Sequence, residues 1–191
     1  KTKFTPKNRK QSSVMAANKN VLLGVTASVA IYKACDIVRR LRERGFGVTV
    51  VMTPEARNFI SPLLFETLSN NKTHSGMFDS PESWEIEHIS LADRADIVLI
   101  APATANIIAK IAAGLCDDLL SCVVSATKAP VVICPAMNEN MFLNPLTQQN
   151  VRKLQDLGYR FVQPKSGNLA CGKAGTGCLA DIDTIVDSVQ T

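Results

Sequence analysis

VLLGVTASVAIYKACDIVRRLRERGFGVTVVMTP, residues 21–54, opens and closes on β-branched apolar runs, with a segment of different period between them. In that segment, residues 29–44 place Ala30, Ala34, Ile37, Val38 and Leu41 on one face. Lys33, Asp36, Arg39, Arg40, Arg42 and Glu43 fall on the other, which is the 3.6-residue period of an amphipathic helix. Gly45 suits its end, because a helix C-terminus commonly turns through a left-handed residue that glycine adopts without strain. The runs at 21–25 and 48–52 are apolar at successive positions, so both faces of each strand are expected to be buried. Strand, helix and strand in this order form a parallel βαβ unit.

The same alternation continues outward. Apolar runs recur at 97–101 and 131–134, and more weakly at 159–162. Ser61 and Pro62 make an N-cap and first-turn pair opening LLFETLS. Further helices are expected at 105–112, 117–126, 145–156 and 181–190. The expectation is a single α/β domain over 20–191, a doubly wound parallel sheet of Rossmann-like form. Residues 70–87 and 164–180 lack strong periodicity and read as two long loops, the kind that more often bind or cover ligands. His88 is expected between the first of these loops and the third strand.

Composition narrows the function classes. The chain has 191 residues, 46% apolar and 20% charged, enough for one substantial core. No apolar run reaches the roughly 18 to 20 residues of a membrane span, and no hydrophobic stretch follows the basic start as in a signal peptide. A soluble, cytoplasmic protein without a membrane role is expected. The net charge of +4 is unevenly placed: residues 1–20 hold six bases and no acid, and the remainder is slightly acidic. Residues 1–19 therefore read as a mobile basic tail to which no function is assigned. A body without clustered Lys and Arg does not suit nucleic acid. The six cysteines include no CxxC pair, and His74 and His88 stand apart from them, so neither a disulfide framework nor a metal site is expected.

In an open α/β sheet, ligands bind beyond the carboxyl ends of the strands, where strand order reverses. The residues after the first four runs are Thr26-Ala27-Ser28-Val29, Thr53-Pro54, Pro102-Ala103-Thr104-Ala105-Asn106 and Pro135-Ala136-Met137-Asn138. Each set brings small, hydroxyl or amide side chains to one edge. Such residues at a strand-to-helix turn serve as N-caps, and they also suit a phosphate facing the helix N–H groups. Neither GxGxxG nor GxxxxGK[ST] is present, which argues against a dinucleotide fingerprint and a P-loop. His88, Asn138 and Cys171 are the residues with chemistry to offer, the last in the Gly-rich stretch LACGKAGTG (169–177). The residues alone indicate a ligand-binding α/β protein of enzyme type with a phosphorylated cofactor.

Taken together, the stretches GVTASVAIYK (24–33), VVMTPEARNFISP (50–62), EHISLADRADIVLIAPATANIIAKIAAGLCDDLL (87–120), PAMNENM (135–141) and LACGKAGTG (169–177) resemble the flavin-containing cysteine decarboxylases. The likeness is greatest to the branch acting on 4'-phosphopantothenoylcysteine in coenzyme A biosynthesis. The resemblance covers residues 20 to about 187 and implies FMN as cofactor. It places Ala27, Ser28, Val29, Thr53, Phe65, Thr104, Ala105, Asn106, Ile107 and Ala136 around the flavin. Asn138, Met137 and Ala170 would meet the substrate, a small phosphorylated thiol. His88 takes the active-site base position, and Cys171 would give the proton of a final reductive step.

The implied chemistry oxidises the cysteine CH2–SH to a thioaldehyde, which accepts the electron pair left as CO2 departs. Re-reduction of the enethiolate then gives 4'-phosphopantetheine. Family members assemble as trimers or multiples of trimers, which would set residues 107–113 near an interface, and some are fused to a phosphopantothenoylcysteine synthetase. The chain departs from the family pattern at Thr104 and Ile107 (Ser and Thr in the signature), at Phe142 (commonly Trp) and at Cys178-Leu179 (commonly Arg-Met). Rival readings within the fold are a peptidyl-cysteine decarboxylase and a regulatory, phosphatase-inhibitor-like subunit. Retention of His88, Asn138 and Cys171 favours catalysis, and the Ala-Cys-Gly at 170–172 favours the coenzyme A branch.

Overall fold

The computed structural model describes residues 19–77, 86–168, 172 and 174–190. The chain runs β1 (Asn20–Val25), a 3-10 turn (Val29–Ile31), α1 (Tyr32–Glu43), β2 (Gly47–Met52), a second 3-10 turn (Pro54–Asn58) and α2 (Pro62–Ser69). Next come β3 (Thr73–His74), α3 (Glu87–Arg94), β4 (Ile97–Ala103), α4 (Ala105–Ala113), α5 (Leu119–Ala126) and β5 (Val131–Pro135). It ends with α6 (Glu139–Leu143), α7 (Pro145–Asp156), β6 (Arg160–Phe161), β7 (Lys165–Asn168), β8 (Ala174–Cys178) and α8 (Ile182–Asp187).

β1 to β6 form one sheet in the order β3-β2-β1-β4-β5-β6, and every neighbouring pair is parallel. The chain moves outward from β1 to β3 and returns to the other side of β1 for β4. That reversal opens a crevice between the carboxyl ends of β1 and β4, the usual ligand position of this topology.

Strand alternation explains why both faces are covered. Val21, Leu23 and Val25 of β1, with Ile97, Leu99 and Ala101 of β4, pack against Ala34, Ile37 and Leu41 of α1, Phe65 of α2 and Ile185 of α8. The intervening Leu22, Val98 and Ile100 pack on the opposite face with residues of α3, α4, α5 and α7. Gly24 lies under α5, where a Cβ would stand 2.6 Å from Leu120 Cδ1. The doubly wound α/β domain expected from the apolar runs is the fold observed.

Four local expectations change. The segment from residue 29 starts as a 3-10 turn capped by Ser28 before becoming α1, and Gly45 follows its end at φ +85°. His88 lies within α3 rather than in an approach to a strand. Two-residue β3 adds a parallel edge that its length hides from any periodicity. Residues 164–180, expected as a loop, contain the antiparallel hairpin β7–β8. Its Gly, Ser and Thr residues give no apolar alternation to read. The tail expected over 1–19 lies, except for Lys19, outside the described residues.

Candidate active site

A single hydroxyl joins the ends of the two central strands. Buried Thr26 donates from Oγ1 to the Pro102 carbonyl at 2.7 Å and accepts the Thr104 N–H at 3.1 Å. Ser28 Oγ accepts the Ala30 N–H at 3.3 Å and donates to the Ala136 carbonyl at 3.1 Å, linking the first turn to the end of β5. Ala136 N–H returns to the Ala103 carbonyl at 2.9 Å. Thr104 Oγ1 accepts the Ile107 N–H at 3.4 Å and so caps α4. The strand-end residues are thus hydrogen-bonded to one another as well as to their own helices. The outcome is a continuous rim along β1, β4 and β5.

A cleft of about 580 Å³ opens on this rim. Ala27, Ser28 and Val29 line it from β1, with Tyr32 and Lys33 one helical turn further on, and Thr104 lines it from β4. Ala136, Met137, Asn138 and Met141 form the next wall, and Gly177, Cys178 and Leu179 close the outer side. Gly177 must be glycine: its φ is +148°, and a Cβ would stand 2.2 Å from the Met137 carbonyl oxygen. Asn138 Oδ1 caps α6 by accepting the Asn140 N–H at 2.9 Å, which orients the amide beside the cleft. A hollow of about 750 Å³ between α1 and the start of α8 is larger but holds no comparable rim. Four of its charged residues pair along α1, Arg39 with Asp36 at 3.6 Å and Arg40 with Glu43 at 3.9 Å, as on a solvated helix face.

The residues present suit FMN. The N–H groups of Ala105 and Asn106 open α4 and have no acceptor within the helix, and the helix dipole favours negative charge there. Ala27 and Ala136 put no bulk on the rim, and the cleft falls in the usual size range of ligand sites.

The structure gathers Ala27, Ser28, Val29, Thr104, Ala136, Met137 and Asn138 around one cleft. Ala105 and Asn106 form the adjoining first turn of α4. The side chains of Phe65 and Ile107 are fully buried on opposite faces of the sheet, so both serve packing and neither lines the cleft. Thr53, also buried, donates its N–H to the Val25 carbonyl at 3.0 Å and stays behind the rim.

His88 stands in the first turn of α3, outside the cleft lining. That turn is tied to the edge strand by His74 Nδ1 and Glu87 Oε1, 2.5 Å apart. α3 leads into β4, so His88 lies at the carboxyl edge but on the β3 side. Ala170 and Cys171 lie outside the described residues. Burial pushes the thiols of Cys134 and Cys35 up, the latter with help from Asp36, so these are packing thiols.

Sequence reasoning missed Tyr32, Lys33 and Met141, although Val29 and Lys33 are four residues apart on one helix face. Gly177, Cys178 and Leu179, read in sequence only as part of a Gly-rich loop that binds or covers a ligand, form the outer wall of the cleft. Among the described residues no group of three His, Cys, Asp or Glu side chains is placed to hold a metal ion.

Known proteins agree with this geometry. The family model described as Flavoprotein matches residues 9–191. The probable phosphopantothenoylcysteine decarboxylase of Streptococcus mutans is 42% identical over 174 residues, covering 90% of this chain and 97% of the relative. The coenzyme A biosynthesis bifunctional protein CoaBC of Bacillus subtilis is 43% identical over 90% of this chain, but the chain spans only 42% of that longer relative. Among solved structures, a Cys-to-Ser variant of PPC decarboxylase complexed with pantothenoylaminoethenethiol superimposes with a TM-score of 0.81 at 32% identity, covering 91% of this chain and 97% of that one. The FMN-dependent cysteine decarboxylase SpaF gives 0.79 at 31% identity, covering 92% and 99%. With its doubly wound sheet and its cleft at the β1–β4 reversal, this chain belongs to the flavoprotein family, among the flavin-containing cysteine decarboxylases, and is similar to phosphopantothenoylcysteine decarboxylase.

Proposed function

We propose that this chain is a carboxy-lyase that uses FMN to convert 4'-phosphopantothenoylcysteine to 4'-phosphopantetheine. The observation that carries the reading is the cleft itself. Two capped helix starts, at Ser28 and Thr104, face the Met137–Asn138 turn across a space bounded by the β7–β8 hairpin. Identity of 42% to the Streptococcus mutans relative over nearly its whole length supports the same substrate.

Bound FMN supplies a two-electron oxidation of the substrate's CH2–SH and returns the two electrons after CO2 has left. Ala27, Ser28, Thr104, Ala105, Asn106 and Ala136 would hold it. Asn138 binds and orients the substrate carboxylate through its amide N–H groups, next to the carbon that must lose it. His88 accepts the thiol proton as the C–H bond is oxidised. Departure of CO2 leaves its electron pair on the adjacent thiocarbonyl, giving an enethiolate. Cys171 then donates a proton to carbon as the enethiolate is reduced. One oxidation and one reduction balance, so no outside oxidant is consumed.

The assembly is proposed as a trimer or a multiple of trimers. Met141 on the cleft wall is exposed, as are Leu143, Leu146 and, just after α4, Leu115, so apolar surface is available for association. No described helix is long and apolar enough to cross a membrane. Action in the cytoplasm, with a fused or associated phosphopantothenoylcysteine synthetase as in the bifunctional relatives, completes the proposal.

The test is mass spectrometry of FMN-loaded protein incubated with 4'-phosphopantothenoylcysteine, beside Cys171→Ser. The parent is expected to release CO2 and form 4'-phosphopantetheine, while Cys171→Ser accumulates a product lighter by two hydrogens. A flavin-loaded parent that leaves this substrate intact refutes the proposal.

A further inference from the structure

Residue 139 occupies an open place in the Pro-Ala-Met-Asn-x-x-Met stretch, and none of the chemistry above involves it. Its carboxylate nonetheless reaches across to the hairpin. Glu139 Oε1 accepts the Thr176 N–H at 2.8 Å. The carboxylate lies so close over Gly175 that a Cβ there would stand 2.7 Å from Oε2 and 2.9 Å from Oε1. Two residues back in the turn, the backbone adds a second tie, Met137 N–H to the Gly177 carbonyl at 3.0 Å. Ser166 Oγ and Thr176 Oγ1, 3.0 Å apart, carry the connection on to β7.

Residues 137–139 and 175–177 therefore meet as two facing strips. One is the turn that presents Asn138; the other is the strand whose Gly177 and Cys178 wall the cleft. Of these two bonds, the one from Glu139 depends on a side chain. A backbone N–H held by a carboxylate makes a charge-assisted bond, roughly twice as strong as one between neutral groups. A Cβ at residue 175 would displace the carboxylate from this place, a constraint of space rather than of backbone conformation.

We propose that Glu139 is a positioning residue for the decarboxylation. By docking β8 on the Asn138 turn, it fixes the separation between Asn138 and the outer wall of the cleft, and with it the productive pose of the substrate. The inference rests on the decarboxylase reading, but the dock itself is observable without substrate.

The experiment uses the FMN-loaded full chain and the variants Glu139→Ala, Glu139→Gln, Gly175→Ala and the double variant Glu139→Ala/Gly175→Ala. Hydrogen exchange without substrate reads the dock. Glu139→Ala is expected to speed exchange of the Thr176 amide by about 10-fold or more. Glu139→Gln, whose amide oxygen still accepts, should change it by less than about 3-fold, with β1 and β4 amides unaltered in both.

Steady-state decarboxylation reads the consequence. Glu139→Ala should lower kcat/KM by about 10-fold with the flavin spectrum unchanged, and Glu139→Gln should restore it to within about 3-fold. Gly175→Ala, which displaces the carboxylate, should reproduce the alanine defect and add little to it in the double variant. Equal defects in the alanine and glutamine variants, or a Thr176 amide indifferent to residue 139, would overturn the inference. No turnover by the flavin-loaded parent removes the decarboxylase reading and the catalytic half of this one, while the Thr176 exchange still decides whether the dock exists.

Discussion

Asn138 has two duties on one amide. Its Oδ1 caps α6 at the Asn140 N–H, 2.9 Å away, and its donor end is the group proposed for the substrate carboxylate. Two substitutions separate these duties. Asn138→Asp keeps an acceptor for the cap but sets a carboxylate against the substrate's own. Asn138→Ala loses both. A hydrogen bond to a charged group contributes about 1.5 to 3 kcal/mol, so Asn138→Ala should lower kcat/KM by roughly 10- to 100-fold. Asn138→Asp should fall at least as far through like-charge repulsion, yet denature within about 0.5 kcal/mol of the parent, whereas Asn138→Ala loses about 1 kcal/mol of cap. Steady-state kinetics beside urea denaturation separates the two. An aspartate variant that decarboxylates normally would remove Asn138 from the substrate's carboxylate.

Between elements, the site depends on how β1, β4 and α4 are joined rather than on any one of them. Thr26 is the joint, donating to Pro102 and accepting from Thr104 while fully buried. Thr26→Val preserves shape but leaves a buried carbonyl and a partly buried N–H without this partner, which costs about 1 to 3 kcal/mol. The expected result is a lower urea midpoint with an unchanged m-value. Because Thr104 both donates its N–H to this hydroxyl and caps α4, FMN affinity should weaken as well. A variant with parental midpoint and flavin affinity would show that the rim is held by the strand ladder alone.

For the whole molecule, the described thiols with resolved shifts all bear on how stability changes at alkaline pH. Burial pushes the Cys134 thiol far above its ordinary value, and Cys35 and Cys122 are raised as well, chiefly by burial. In the unfolded chain such a thiol ionises near about 8.5, while in the fold Cys134 stays protonated. Below about 8.5 both states hold the proton, and this contribution to stability is complete. Above it the folded state binds more protons than the unfolded one, so stability falls by up to about 1.4 kcal/mol per pH unit for each such thiol. Urea denaturation from pH 7 to 10 should show this decline, and Cys134→Ala should flatten it despite its own cost in packing. A decline of equal slope in Cys134→Ala would assign the effect elsewhere.

Features whose physics is local were legible in the chain before folding. Runs such as 97–101 must be strands buried on both faces, and the period from residue 29 must be a helix ending at Gly45, because neither depends on distant neighbours. The small and hydroxyl residues after each strand could be gathered to one edge because parallel topology sends every strand's carboxyl end the same way. Family resemblance then supplied the flavin and the decarboxylation. Packing across the sheet selects which of these residues face the cleft. Phe65 and Ile107 sit among site residues in sequence, yet packing buries them on opposite faces of the sheet. His88 stands on α3, whose first turn is tied to β3, and two-residue β3 is too short to carry a pattern. The β7–β8 hairpin has no apolar period and is docked through Glu139 and Met137 from across the fold. Contacts between residues almost forty positions apart leave no local trace, which is why the cleft's outer wall became visible only once the chain was folded.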